Sequence, residues 1–268
     1  RVKDADIVIF ASGISPSLEG EEMGVNLPGF KKGDRTDIEL PAVQRELIDA
    51  LHRAGKKIIL VNCSGSPIGL EPETQKCEAI LQAWYPGQQG GKAVAEVLFG
   101  DYNPAGKLPV TFYRNVSQLP DFEDYNMAGR TYRYMQDVPL FPFGYGLSYT
   151  TFGYGKTVLD KNELTAGQSL KLTVPVTNTG KRNGEEVVQV YLRKQGDAEG
   201  PIKTLRAFKR VSIPAGKTVN VEFDLKDKEL EWWDDQSNTV RVCPGNYDIM
   251  VGGSSKEEDL QRTTIAIK

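Results

Sequence analysis

Compact apolar runs alternate with helical periods in the first half of the chain. Residues 6–11 (DIVIFA) and 57–62 (KIILVN) are apolar and rich in β-branched side chains, which is typical of strands buried on both faces. A third such run follows at 79–84, and residues 41–54 and 91–99 have the spacing of helices. The first helix is predicted to bury one stripe, formed by Val43, Leu47, Ile48 and Leu51. This alternation predicts an α/β domain with a parallel sheet covered by helices.

The rhythm changes after residue 152. Helical periods vanish, and turn sequences with Gly, Pro and Asn separate short alternating runs. These runs predict strands over 169–177, 187–193, 204–211, 218–225, 239–242, 247–252 and 263–267. Six or seven short strands in about 115 residues indicate an antiparallel β-sandwich of the immunoglobulin or fibronectin type III kind.

The chain length fits two domains. Its 268 residues divide into a predicted α/β domain over 1–152 and a β-sandwich over 153–268. The segment 113–152 between them is too aromatic for a free linker, so we expect it to pack on the first domain or on a partner. Because strand-like residues begin almost at once after Arg1, we expect the chain to be a piece of a longer protein, cut at its N-terminal side.

Composition excludes several classes of function. Lys and Arg number 33 against 36 Asp and Glu, so the basic field that a nucleic-acid-binding protein needs is absent. No apolar run reaches the roughly 18 residues of a membrane span. A single histidine, His52, and three cysteines argue against a histidine-rich metal site or a disulfide framework. We therefore expect no cofactor, no metal, no nucleic-acid partner and no membrane span.

The loop at 12–40 is the first candidate for chemistry. A long loop in a compact domain is usually functional or disordered, and this one leaves the carboxyl end of a predicted parallel strand, where ligands bind. It carries three carboxylates close together, Glu19, Glu21 and Glu22. If the loop covers a ligand, repulsion and loss of water favour the protonated form of at least one of them, as a general acid requires. The alternative is that all three are simply solvated surface charges.

Other motifs give weaker evidence for a catalytic or binding site. Residues 87–91 (GQQGG) precede a helix but lack the ending of a phosphate-binding loop, and 64–66 (SGS) is not a nucleophile elbow. Four aromatic residues either stack on sugar faces or belong to the core: Trp84, Tyr85, Trp232 and Trp233.

Several longer motifs resemble the C-terminal part of glycoside hydrolase family 3. They are WYPGQQGG at 84–91, VLFGDYNPAGKLPVTF at 97–112, FPFGYGLSYTTF at 141–152, VTNTG at 176–180 and LRAF at 205–208. The resemblance covers essentially the whole chain. It implies a three-layer α/β sandwich domain followed by a fibronectin type III-like domain, the same order as the strand and helix patterns predict.

The resemblance also implies where the catalytic groups lie. In this family a preceding (β/α)8 barrel supplies the nucleophilic aspartate, and a loop of the α/β sandwich supplies the acid/base glutamate, in many members within E-x-E-G-x-D-R before L-P-x-x-Q. Here the counterparts are EGEE at 19–22, GDR at 33–35 and LPAVQ at 40–44. The second glutamate of the pattern matches Glu21. About ten inserted residues separate it from the Asp-Arg pair, so Glu19 and Glu22 remain alternatives.

The resulting hypothesis is a retaining exo-β-glycosidase that removes terminal β-linked xylose or glucose from oligosaccharides. This chain would be its C-terminal half, partnered by the missing barrel of the same protein and inactive alone. The family resemblance places such an enzyme in the periplasm or outside the cell. The alternative is a non-catalytic carbohydrate-binding or adhesion module, which requires exposed aromatic residues such as Trp232 and Trp233.

Overall fold

The computed structural model describes residues 2–19, 24–31 and 34–268, and the chain divides into two compact units. Unit 1 consists of Arg1–Asp101, Phe112–Tyr125 and Pro139–Phe141. Unit 2 consists of Tyr102–Thr111, Asn126–Val138 and Pro142–Lys268. The domain boundary near residue 152 stays a prediction.

Unit 1 is an α/β fold on a three-stranded parallel sheet with the order β1-β4-β5. Its elements are β1 (Ile7–Gly13), α1 (Pro16–Glu19), β2 (Phe30–Lys31), β3 (Asp34–Arg35), α2 (Ala42–Arg53), β4 (Lys57–Cys63), α3 (Glu71–Thr74), β5 (Ala79–Gln82) and α4 (Gly90–Phe99). A short 3-10 helix follows at Val116–Gln118. The three strands and two long helices that the sequence predicts are thus present as β1, β4, β5, α2 and α4.

Glycines end the two long helices. Gly55 has a φ of +70° just after α2, and Gly100, the C-cap of α4, has a φ of +81°. Residues with a β-carbon are strained in this left-handed region, so a glycine stops a helix there without cost.

The core of unit 1 lies between α2 and the sheet. Its buried side chains are Ile14, Leu40, Ile48, Leu51, Ile58, Leu60, Ile68 and Leu70. The predicted stripe on α2 is therefore half wrong, because Val43 and Leu47 are 69% and 48% exposed. The reason is local bonding. Gln44 bonds to the backbone of Gly13, and Arg45 bonds to the fully buried carboxylate of Glu73, so these two polar residues take inward positions on the first turn of α2.

Unit 2 is a β-sandwich in which all strand pairs but one are antiparallel. Its elements are α5 (Thr131–Tyr134), β6 (Phe152–Tyr154), β7 (Val158–Leu159), β8 (Glu163–Leu164), β9 (Leu170–Asn178), β10 (Gly184–Lys194), β11 (Thr204–Ile213), β12 (Thr218–Leu225), α6 (Asp227–Leu230), β13 (Trp232–Asp234), β14 (Thr239–Arg241), β15 (Gly245–Gly252) and β16 (Gln261–Ile267). A second 3-10 helix lies at Glu257–Asp259. All seven predicted strands are found, and β14 pairs with β13 in a separate hairpin.

Two sheets enclose the core of unit 2. One has the order β11-β10-β15-β16-β8, and the other has the order β12-β9-β6 with β7 also paired to β9. Alternate residues of β9 are buried, namely Leu170, Leu172, Val174 and Val176. They meet the inward residues of β12, which are Val221, Phe223 and Leu225. Each such aliphatic or aromatic side chain stabilises the fold by about 1.5–3 kcal/mol on burial.

Candidate active site

The candidate site lies in unit 1, where the parallel strands β1, β4 and β5 end. The last residue of β1, Gly13, is held by the side-chain amide of Gln44, which accepts from its N–H at 2.9 Å and donates to its carbonyl at 2.8 Å. Gly13 has a φ of +120°, and a β-carbon there would lie 1.8 Å from the carbonyl oxygen of Cys63 on β4. Only glycine therefore lets β1 run this close to β4 and turn into α1.

Glu19 ends α1 beside this edge, and both of its carboxylate oxygens are engaged. The hydroxyl of Ser66 donates to Oε1 at 2.7 Å. The hydroxyl of Tyr85 lies 2.8 Å from Oε2 and 3.0 Å from the carbonyl oxygen of Ile14, so its one hydrogen is shared between two acceptors. The carboxylate is thus oriented by groups that follow β4 and β5.

Gly65 makes room for this arrangement. A β-carbon at position 65 would lie 2.6 Å from a ring carbon of Tyr85 and 2.8 Å from Oε2 of Glu19. Burial, followed by the hydrogen bond to Glu19, raises the pKa of Tyr85 to about 12. The tyrosine is therefore a neutral hydrogen-bond donor throughout the physiological range.

Arg35 connects the loop to the same cluster. Its Nη1 donates to Oγ of Ser66 at 3.3 Å, and its Nη2 donates to the carbonyl of Glu39 at 3.1 Å. Ser66 therefore accepts from the guanidinium and donates to the Glu19 carboxylate. Burial lowers the pKa of Arg35, while the charges of Asp37 and Glu19 act in the opposite direction.

A buried amide network supports the cluster from below. Asn62, the penultimate residue of β4, donates to Oε1 of Gln82 at 2.7 Å and to Oγ of Ser64 at 3.2 Å. Ser64 in turn donates to the carbonyl of Ser66 at 2.8 Å, which fixes the backbone that carries the Ser66 hydroxyl. Buried polar groups linked in this way hold a site rigid.

The structure places one of the three candidate glutamates. Glu19 lies at the sheet edge, whereas Glu21 and Glu22 are outside the described residues. Sequence reasoning missed Ser66 and Gln82 as supports, although both sit directly after or at the end of an apolar run. Tyr85, a candidate for stacking on a sugar face, is 40% exposed, and its hydroxyl bonds to Glu19.

Each tryptophan has its own contacts within its unit. Trp84 packs edge-on against Phe112 at a centroid distance of 6.1 Å. In unit 2, Trp232 is only 2% exposed and its Nε1 donates to Asp197 at 2.6 Å, so the expectation of an exposed aromatic residue is wrong at this position. Trp233 is 48% exposed. Its indole N–H is turned to Asp235.

The described cluster is suited to proton transfer. Within residues 2–19, 24–31 and 34–268, no three His, Cys, Asp or Glu side chains are grouped so as to hold a metal ion. A carboxyl group at this edge, oriented by two hydroxyl donors, can give a proton to a bound substrate when it is protonated and accept one when it is ionised. Of the helices described, none has both the length and the apolar character needed to cross a membrane.

Several known proteins are similar to this chain in sequence or in fold. A xylan 1,4-β-xylosidase of Xylanibacter ruminicola is 58% identical over 267 residues, covering 100% of this chain and 31% of its own length. A periplasmic β-glucosidase of Salmonella typhimurium is 37% identical over 94% of this chain and 33% of its own. A solved β-glucosidase structure from Erythrobacter marinus matches with a TM-score of 0.84 and 38% identity, covering 100% of this chain and 35% of that one. The chain thus spans about a third of the length of these relatives.

Family models match both parts of the chain. Residues 186–255 match the fibronectin type III-like domain, which agrees with the β-sandwich of unit 2. Residues 1–149, more than half of the chain, match the glycosyl hydrolase family 3 C-terminal domain. The parallel sheet with its carboxylate edge, the β-sandwich and these matches lead to one conclusion: the chain belongs to the C-terminal domain family of glycosyl hydrolase family 3.

Proposed function

We propose that this chain is the C-terminal part of a retaining exo-acting β-glycosidase that releases terminal β-linked xylose or glucose from oligosaccharides. The observation that carries the proposal is the placement of the Glu19 carboxylate, and with it the start of the acidic loop, at the carboxyl edge of the sheet. The names of the relatives support both sugars, since they include xylosidases and glucosidases.

The other half of the site is proposed to lie in an N-terminal (β/α)8 barrel. The matched relatives are about three times as long as this chain, which leaves room for such a domain. The barrel would supply the nucleophilic aspartate and most sugar contacts. Unit 1 would then supply the acid/base from its loop, so neither part would have a complete site alone.

The proposed reaction has two steps. In the first, the glutamic acid gives its proton to the glycosidic oxygen while the aspartate carboxylate attacks the anomeric carbon, so the leaving sugar departs and a glycosyl ester forms. In the second, the glutamate takes a proton from water, which attacks the anomeric carbon and frees the aspartate. Two inversions give net retention of configuration.

Two glutamates lead as the acid/base, for different reasons. The family pattern assigns Glu21. The geometry supports Glu19, whose carboxylate is oriented at the sheet edge by Ser66 and Tyr85, as a catalytic carboxylate requires. If Glu21 is the acid/base, Glu19 is instead the anchor at the base of the loop, and Glu22 is the remaining alternative.

Single Glu→Gln variants of the full-length enzyme at positions 19, 21 and 22 separate these roles. Loss of the acid/base lowers kcat on xylobiose or cellobiose by about 10²–10⁴-fold. With dinitrophenyl glycosides, whose leaving group needs no proton, the first step of this variant stays fast and the second step limits turnover, so azide restores its turnover. A variant that only loses the anchor is slowed on both substrates and is not rescued. Near-normal kcat on the disaccharides in all three variants would reject the proposal.

The isolated 268-residue chain is expected to be inactive. Without the nucleophile and the rest of the sugar site, neither covalent catalysis nor substrate positioning is possible. Incubation of the purified chain with nitrophenyl β-xyloside and β-glucoside should release no nitrophenol above the buffer rate. A clear, saturable rate from this chain would contradict the division of the site between two domains.

We also propose that the full-length protein works in the periplasm or outside the cell. The support is the relative from Salmonella typhimurium, which carries periplasmic in its name. Cell fractionation with an antibody against this chain tests it, and recovery with the cytoplasmic marker would overturn it.

A further inference from the structure

Three buried hydrogen-bond donors of unit 2 have no partner among the described residues. They are Nε of Arg133, Nε of Arg206 and the hydroxyl of Thr204. Buried donors are nearly always satisfied in native proteins, because an unmade hydrogen bond in the interior costs about 1–3 kcal/mol. Two of the three belong to neighbouring guanidinium groups, so positive charge is concentrated here with an incomplete set of hydrogen bonds among the described residues.

The backbone brings the two arginines together. The hydroxyl of Tyr132 accepts from the N–H of Leu205 at 3.1 Å. The carbonyl of Arg133 accepts from the N–H of Ile202 at 2.6 Å. These two bonds tie α5 to the start of β11. Arg206 lies where the register between β10 and β11 shifts, and the charge of Arg133 acts on it, so the two guanidinium groups are neighbours.

Aromatic rings position the two guanidinium groups without neutralising them. Arg206 stands over the ring of Trp232 at 5.6 Å, and its Nη2 donates to the carbonyl of Glu231 at 2.6 Å. Arg133 lies over the ring of Tyr134 at 5.6 Å. Five other arginines of the described chain form ion pairs within 4.0 Å, whereas Arg133 and Arg206 form none with the described residues.

The charges around Arg133 and Arg206 favour the binding of an anionic group. Burial and then repulsion from Arg133 lower the pKa of Arg206, while the charge of Glu231 acts in the opposite direction. The two guanidinium groups are like charges that lie near each other and partly out of water. The nearby carboxylate of Asp197 is already bonded to Nε1 of Trp232 and to the N–H of Gly200. Partly buried charges are costly unless paired, and the planar fork of arginine matches a carboxylate.

We propose that Arg133 and Arg206 form a carboxylate-binding site, and that its ligand is an Asp or Glu side chain from the part of the full-length protein outside these 268 residues. The proposal rests on the proposed function for the existence of an N-terminal domain. The length of the relatives favours this source. About two thirds of each relative has no counterpart in this chain, and a domain of that size is available to pack against unit 2. The bond would dock that domain onto the β-sandwich.

A crystal structure of the full-length protein tests the site directly. The expected result is an Asp or Glu carboxylate oxygen, from a residue outside the 268, within 3.5 Å of a guanidinium nitrogen of Arg133 or Arg206. Water alone, a buffer anion, a sugar carboxylate or a residue of this chain in that position would overturn the proposal.

Variants of the full-length protein give a second test. Arg206→Gln leaves the incoming carboxylate unpaired, so the domain-separated form becomes about 100-fold more populated and native-state proteolysis between the domains speeds up by that factor. Arg206→Lys keeps the charge and loses only part of the effect. Arg210→Gln, on the same strand but already paired with Glu185, is the control and leaves the rate unchanged.

The outcomes separate this proposal from the proposed function. Equal proteolysis rates for the variants at 206 and 210 would overturn the docking site while the enzyme stays an active glycosidase. Absence of β-glycosidase activity in a full-length protein whose structure shows the carboxylate would leave the docking site standing and reject the function.

Discussion

At the residue scale, the contacts of one carboxylate organise the candidate site. Glu19 is held by two hydroxyls, those of Ser66 and Tyr85, and Arg35 reaches it through Ser66. Whether Glu19 transfers the proton or anchors the loop that carries Glu21, the Tyr85 hydroxyl fixes the start of that loop. The site therefore depends on the hydroxyl of Tyr85, whereas the sequence analysis considered only the aromatic ring of this residue.

Removing that hydroxyl is expected to slow catalysis. In the full-length enzyme, Tyr85→Phe leaves the ring in place but frees Oε2 of Glu19, so kcat on xylobiose or cellobiose is expected to fall about tenfold. KM should change little, because most sugar contacts are proposed to lie in the barrel. Tyr102→Phe is the matched control, since that hydroxyl bonds Arg210 in unit 2. Equal kcat for the two variants would show that the Tyr85 contact is dispensable.

The raised pKa of Tyr85 predicts an alkaline effect. The folded state holds this proton up to about pH 12, whereas an unfolded tyrosine loses it near the ordinary pKa of 10.0. The stabilisation is therefore complete below pH 10 and is lost as pH rises from 10 to 12. Urea unfolding of the chain across this range should show a steeper loss of stability for wild type than for Tyr85→Phe. Parallel curves would contradict the prediction.

At the element scale, the approach of β1 to β4 determines where the acidic loop starts. The strands and long helices could be predicted because their apolar periods are strong. The short α1 and the β2–β3 hairpin could not, since they are held by a few contacts inside the loop. The exposure of Val43 and Leu47 could not be predicted either, because it depends on the bonds of Gln44 and Arg45 to distant parts of the chain.

Two glycine substitutions test this element-level account. Gly13→Ala puts a β-carbon against the Cys63 carbonyl at an unfavourable φ, so unfolding free energy should fall by about 3–5 kcal/mol. Gly55→Ala also meets a positive φ but has open space around it, so it should cost only about 1 kcal/mol. Chemical denaturation of the two variants measures both. Similar losses would mean that the strand contact adds nothing to the backbone strain.

At the scale of the whole molecule, the chain is proposed to hold one part of a divided site. The two-unit organisation and the sandwich followed from chain length and strand spacing, and family motifs pointed to the glycosidase. The choice among Glu19, Glu21 and Glu22 did not follow, because the inserted residues 23–32 break the spacing on which the motif depends. The unpaired Arg133 and Arg206 could not be foreseen, since their burial arises only when α5 meets β11.

The central claim is that a glutamate of this loop is the acid/base of a retaining reaction, and the product formed with azide tests it most directly. In the slow Glu→Gln variant of the full-length enzyme, azide should attack the glycosyl ester on the face that water normally uses. After two inversions the product is the β-glycosyl azide, identified by its proton NMR coupling. Formation of the α-glycosyl azide, or no glycosyl azide in any of the three variants, would contradict the account.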